Sequence, residues 1–194
     1  MQLPRMRALL LSLLLVAAVA PVADAGTHAR DSWTQLRRPF HLPKLAPGAA
    51  CPLSQVDRRI PWKRANIFGG SGIGRGPVYP GLPSASFVAT RDEQYGGPWF
   101  GTKVFWYVLP IYRGRVLIRG RRLDGPQRMG FNGREVALRE LRIERGQTVS
   151  WTGQPPGSRG VPSGVRVLTA GCYGVQIDGA TFSRVIVVSV DVAD

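Results

Sequence analysis

Apolar residues along this chain come in two rhythms. The first is a nearly unbroken run, Ala8 to Ala20, interrupted only by Ser12. From residue 85 onward they arrive instead in short β-branched and aromatic bursts, punctuated about every 8–12 residues by Gly, Pro or Asp-Gly. The second rhythm predicts strands. Residues 84–89 form one. Residues 102–109 (TKVFWYVL) give the strongest strand signal, closed by Pro110. Residues 115–119 form another strand after a Tyr112-Arg113-Gly114 turn, and residues 127–131 a short one before Asn132-Gly133, a dipeptide favoured in tight hairpins. Residues 134–145 read as two strand pieces with a bulge at Arg139-Glu140; a short helix using Ala137, Leu138 and Leu141 competes. Residues 146–163 read as loop, and 165–169, 172–178 and 182–192 as the closing strands. Eight or nine short strands without a clear helix predict an all-β domain over residues 51–194, a two-sheet antiparallel β-sandwich. Within it, residues 51–84 are rich in turn residues and read as loop.

The first rhythm predicts export. Arg5 and Arg7 precede the apolar run, Pro21 breaks it, and Ala23-Asp24-Ala25 follows. That is the order of a secretory signal peptide cut after residue 25. The run is short of the roughly 20 residues that span a bilayer. No cysteine near the cut could take a lipid. Residues 26–50 are polar, basic and proline-containing and read as a flexible linker, with Trp33 and Phe40 able to tack it to the domain. The expected location is secreted, extracellular or on the exterior of the cell envelope.

Charge sharpens the picture. The formal net charge is +14; the leader carries two Arg and one Asp, so its removal leaves +13. Of 26 basic residues, only Lys44, Lys63 and Lys103 are lysines. The Arg-for-Lys bias matches a GC-rich genome, but the shortage of acids is a separate fact, and such a field attracts polyanions. The densest basic stretch holds Arg119, Arg121 and Arg122, with Arg113, Arg115 and Arg128 close in sequence. Arg115 and Arg119 share a strand face and could meet phosphate with bidentate guanidinium bonds. The alternative is an edge strand whose charges discourage aggregation. Tyr95, Trp99 and Phe100 beside Gly96-Gly97-Pro98 offer an aromatic loop for a sugar or an apolar partner, unless Trp99 folds back onto the core.

Cys51 and Cys172 are the two cysteines. In an exported chain they favour one disulfide closing a 121-residue loop; free thiols, a metal pair or a nucleophile are the rival readings. Both histidines, His28 and His41, precede the domain, so a Ser-His-Asp triad or a zinc site lacks its imidazole there. The glycine loop at 69–76 does not fit G-x-G-x-x-G, because position 75 is Arg. Asp92, Glu93, Asp124, Glu140 and Asp178 could supply a carboxylate pair for glycoside cleavage, but nothing marks any two as partners. No cofactor or metal is expected.

Two local features resemble immunoglobulin-like sandwiches: Trp106 in mid-strand, and residues 171–179 (GCYGVQIDG) as the penultimate strand. Cys51-Pro52, residues 76–80 (GPVYP), 103–106 (KVFW) and 112–114 (YRG) are similar to a family of uncharacterised exported proteins of GC-rich bacteria. So are residues 116–125 (VLIRGRRLDG), 171–173 (GCY) and 182–187 (FSRVIV). The resemblance implies a fold and an export address, without a mechanism. The expected function is a non-catalytic binding or scaffold module at the envelope that contacts an anionic polymer through its arginines. The alternative is an interaction domain docking on another exported protein through the aromatic loop. The chain is expected to be a monomer without a physiological nucleic-acid partner.

Overall fold

Seven strands cannot close into a barrel with every neighbour antiparallel, because strand direction must alternate around the ring. This protein resolves the parity with one parallel pair. The computed structural model describes residues 31–60, 62, 71–91, 97–149, 151 and 153–194. The expected signal peptide (1–25) and the start of the expected linker lie outside the described residues.

One short helix, α1 (Trp33–Leu36), precedes the strands: β1 (Ser71–Gly72), β2 (Val78–Leu82), β3 (Ser86–Arg91), β4 (Phe100–Val108), β5 (Val116–Arg122), β6 (Arg128–Phe131), β7 (Leu141–Ile143), β8 (Arg159–Val167), β9 (Gly171–Gly179) and β10 (Phe182–Ala193). The ring runs β4-β3-β10-β9-β5-β6-β8 and closes where β8 pairs with β4 along its whole length, Phe100 opposite Val167 and Val108 opposite Arg159. The parallel pair is β3–β10, Ser86 opposite Ser189. Strands β1, β2 and β7 extend the ring's edges: β2 pairs with the second half of β4, and β7 with the first half of β5.

The expected immunoglobulin-like sandwich is therefore corrected to a closed seven-stranded barrel with three extra strands. Alternation of inward and outward residues is the same in both architectures, and what differs is long-range pairing. Trp106 is buried in mid-strand, but inside the barrel, where its indole N–H donates to Ser163 Oγ at 2.8 Å. Other inward residues include Val104, Val116, Ile118, Val175 and Ile186. They fill the interior, leaving a void of about 20 Å³, room for about one water. Among the described residues the barrel interior is a packed apolar core.

Strand boundaries depart from expectation in three places. The expected loop at 51–84 holds β1 and β2, the latter hidden in sequence by Pro80 and Gly81. Strand β8 starts at Arg159, inside the expected loop, and carries Pro162. Of residues 134–145, only Leu141–Ile143 forms a strand, and no helix forms there.

Residues 31–57 lie as a strap along the outer face of β9 and β10. Ser32 Oγ caps α1 by accepting from Gln35 N–H, and Leu36 is fully buried. The amide of Gln176 on β9 reads the strap's backbone twice: Oε1 accepts from His41 N–H at 2.8 Å, and Nε2 donates to Pro39 O at 3.0 Å. Cys51 is disulfide-bonded to Cys172 on β9. Ser54 N–H donates to Val187 O, and Val187 N–H donates back to Ser54 Oγ, both at 3.0 Å. Under this strap the outward row of β9 (Cys172, Gly174, Gln176, Asp178) is buried as fully as the inward row. The part of the expected linker from 31 to 50 is thus bound to the barrel by named contacts. No helix among the described residues is long and apolar enough to cross a membrane.

Candidate functional site

The sequence places arginine in three unrelated stretches that the fold brings to one groove. The strap's end supplies Arg58 and Arg59. The turn before β2 supplies Arg75. Strand β10 supplies Arg184. These side chains line two adjoining openings of about 770 and 830 Å³, which share Asp57, Arg59, Arg75 and Arg184. The first opening continues along the strap past Ser54 and Gln55. The second is walled by Ile60, Pro77, Leu109 and Ile111.

Local structure explains how the groove is held. Gly74 adopts φ +96°, a conformation that favours glycine, and its N–H donates to Gln55 O at 2.8 Å, which ties the turn to the strap. A Cβ on Gly76 would collide with the Tyr79 ring, so only glycine lets the turn lie over that side chain. Arg184 reaches the same turn, its Nε donating to Gly76 O at 3.2 Å. Asp57 N–H donates to Gly72 O at 3.0 Å, fixing the strap's end beside β1.

The floor is electrostatically fixed. Asp57 is buried and accepts two hydrogen bonds from the Arg59 guanidinium, at 2.8 and 2.6 Å, and one from Tyr79 Oη–H at 2.8 Å. The Arg59 guanidinium holds the Asp57 carboxyl well below the usual carboxylate range, against the opposing effect of burial. Burial, with the Asp57 charge beside it, pushes the Tyr79 hydroxyl up to about 12. Near neutral pH the acid is ionised and the phenol protonated, so the groove keeps its charge: among the described residues, four guanidiniums against one carboxylate. Arg58 and Arg75 are exposed and have no carboxylate partner among the described residues. Such a site can hold an oxyanion.

The six arginines expected to bind polyanion are not among the residues that line this groove. Arg115 pairs with Glu144 at 2.8 Å, Arg119 with buried Asp178 at 2.8 Å, and Arg122 with Asp124 at 2.7 Å. Arg113 donates to Gly157 O. Arg121 and Arg128 sit opposite each other across β5–β6, both exposed. The carboxylates considered for chemistry are likewise bound to arginine: Asp124 to Arg122, Glu140 to Arg37 and Arg142, and Asp178 to Arg119. Asp92 and Glu93 lie outside the described residues. Among the described residues no three His, Cys, Asp or Glu side chains gather as metal ligands.

In the expected aromatic loop, Tyr95 lies outside the described residues. Trp99 is half-buried, packed over Gly130 with the Arg166 guanidinium 5.3 Å from its ring, and Phe100 belongs to β4 with Arg91 stacked at 4.2 Å. The groove arginines escaped sequence reading because Arg58 and Arg59 stood in a presumed loop and Arg75 in a presumed glycine connection. The adjacent Arg58-Arg59 pair was the available signal.

No protein-family model matches the chain, and no curated protein or solved structure is significantly similar to it.

Proposed function

We propose that the protein works outside the cytoplasm as a non-catalytic module that binds an anionic polymer of the cell envelope, with the arginine groove as its contact surface. One observation carries this reading: arginines from the strap, the 74–77 turn and β10 line one concavity with, among the described residues, a single carboxylate. Guanidinium is suited to such contacts because its planar donors match phosphate and carboxylate oxygens. The secretory pattern in residues 1–25 and the Cys51–Cys172 disulfide support action in an oxidising compartment. The packed interior supports a surface contact over an internal ligand.

The test is retention of the secreted protein on isolated cell envelope between about 50 mM and about 1 M salt, a range over which the screening length falls from above 10 Å to about 3 Å. Binding should saturate at low salt, vanish by high salt, and weaken in Arg75→Gln/Arg184→Gln. Salt-resistant binding, or binding indifferent to that double substitution, overturns the reading.

A further inference from the structure

The two openings of the groove differ in chemistry. The first is polar along the strap, with Ser54, Gln55 and Arg58. The second is lined by the apolar Ile60, Pro77, Leu109 and Ile111 together with Arg59, Arg75 and Arg184. Ile111 is 84 % exposed, the most exposed of the large hydrophobic residues among the described residues, and it stands at the lip of a basic site. A bare polyanion gains nothing from such a wall. An isoleucine left in water beside three guanidiniums is suited to a ligand that is itself anionic at one end and apolar at the other.

Charge narrows the anionic end. The residues common to both openings are Arg59, Arg75, Arg184 and Asp57, three positive charges and one negative. The Asp57 charge is committed to Arg59 by two short bonds. The excess of two matches a phosphoryl group, which carries about −1.5 to −2 near neutral pH, better than a single carboxylate. Arg75 and Arg184 are the guanidiniums free of Asp57.

We propose that the groove is a site for a phosphate-headed amphiphile, with the phosphoryl group held by Arg75 and Arg184 and the apolar chain lying against Leu109 and Ile111. The inference rests on the anion-binding reading above and adds the ligand's second half. It also identifies the part of an envelope polymer that this groove would contact: a phosphorylated end that carries an apolar chain.

Calorimetric titration of the secreted protein with inorganic phosphate, butyl phosphate and octyl phosphate, each below its micelle-forming concentration, tests this directly. Affinity should rise along the series by about tenfold or more, because each methylene laid against an apolar wall adds to binding. Octanol alone should not bind. Ile111→Ser should erase most of the gain from butyl to octyl phosphate; Ile111 is exposed, so this variant should melt like the parent. Arg75→Gln/Arg184→Gln should lose all three phosphate ligands. If alkyl phosphates bind no tighter than phosphate, or Ile111→Ser is silent, the amphiphile site is overturned, whatever the salt-dependent envelope binding does. If that binding is also indifferent to Arg75→Gln/Arg184→Gln, both readings fall together.

Discussion

The Tyr79 hydroxyl donates to the Asp57 carboxylate at 2.8 Å, joining the outer face of β2 to the end of the strap that carries Arg58 and Arg59. The bond has an energetic and an electrostatic role. It satisfies a buried phenol and a buried carboxylate with each other, and it leaves Asp57 able to aim Arg59 across the floor of the groove.

Acid should therefore loosen this corner. The Asp57 carboxyl is depressed in the folded state, so its ionisation stabilises the fold above the unfolded value near pH 4. That contribution is lost as pH falls through the lower folded value. Asp124 and Glu140 are depressed by Arg122 and Arg37 and act with the same sign. Urea unfolding between about pH 6 and about pH 2 should show stability falling below about pH 4. Asp57→Asn should be less stable than the parent by about 1–3 kcal/mol near neutrality, and the gap should narrow in acid. A gap that stays constant with pH would show that Asp57 acts only through its shape.

Most of the strands after residue 84 were legible in sequence and the ring was not. Residues 102–109 mark β4 because Val104, Trp106 and Val108 face inward and β-branched and aromatic residues fill the strand throughout. Residues 172–178 and 182–192 mark β9 and β10 on similar grounds. What alternation cannot carry is partner choice: the β4–β8 closure and the parallel β3–β10 pair join residues far apart in sequence. The strap was hidden for another reason. Its backbone at Pro39 and His41 is satisfied by the Gln176 side chain of distant β9, and its Arg38 donates to Phe182 O and Gly179 O. In sequence such residues look like a solvated linker. The groove was hidden for both reasons together, since it needs the strap's end, the 74–77 turn and β10 at one place.

The strap's covalent tie should account for a large share of its order. The Cys51–Cys172 bridge closes 121 residues. A loop of that length restrains the unfolded chain by roughly 4–5 kcal/mol on the entropy model. Denaturation with and without reductant, compared with Cys51→Ala/Cys172→Ala, should show a loss of that order. Peptide-resolved hydrogen exchange should rise first in residues 51–57, before the barrel strands. Uniform exchange across the molecule would show that the bridge and the barrel unfold as one unit.

Barrel closure should depend on a glycine that packs outward. Gly160 of β8 lies opposite Tyr107 of β4, and a Cβ there would fall into the Phe105 ring and against Trp151. Gly160→Ala should cost about 1–3 kcal/mol through overpacking. Thermal melting would read this as a drop of about 2–4 °C for each kcal/mol. An unchanged melting temperature would mean that the Phe105–Trp151 pair, now 5.1 Å apart edge to face, can shift freely.

Arginines in this chain divide by what their guanidiniums already hold, and Arg119 tests the division. It lies in the stretch that sequence marks as the densest basic cluster of the domain. Yet its Nη2 donates to Asp178 at 2.8 Å and to Arg38 O at 2.6 Å, and Phe40 of the strap stacks on it at 4.8 Å. Asp178 is fully buried, so removing Arg119 strips a buried carboxylate of its nearest cation, leaving Arg38 at 3.9 Å, Gln176 and Ser183 to hold it. Arg119→Gln should destabilise the fold by about 3 kcal/mol, the scale of a buried pair broken on one side. It should leave salt-dependent envelope binding close to the parent's, because that guanidinium is spent on the strap. Arg75→Gln should behave oppositely, with a stable fold and weakened binding, since Arg75 is exposed and has no carboxylate partner among the described residues. Chemical denaturation and envelope retention measured on the same two variants separate the roles. If Arg119→Gln lost binding at full stability, anion contact would belong to the β5 face, and the groove would be the structural element.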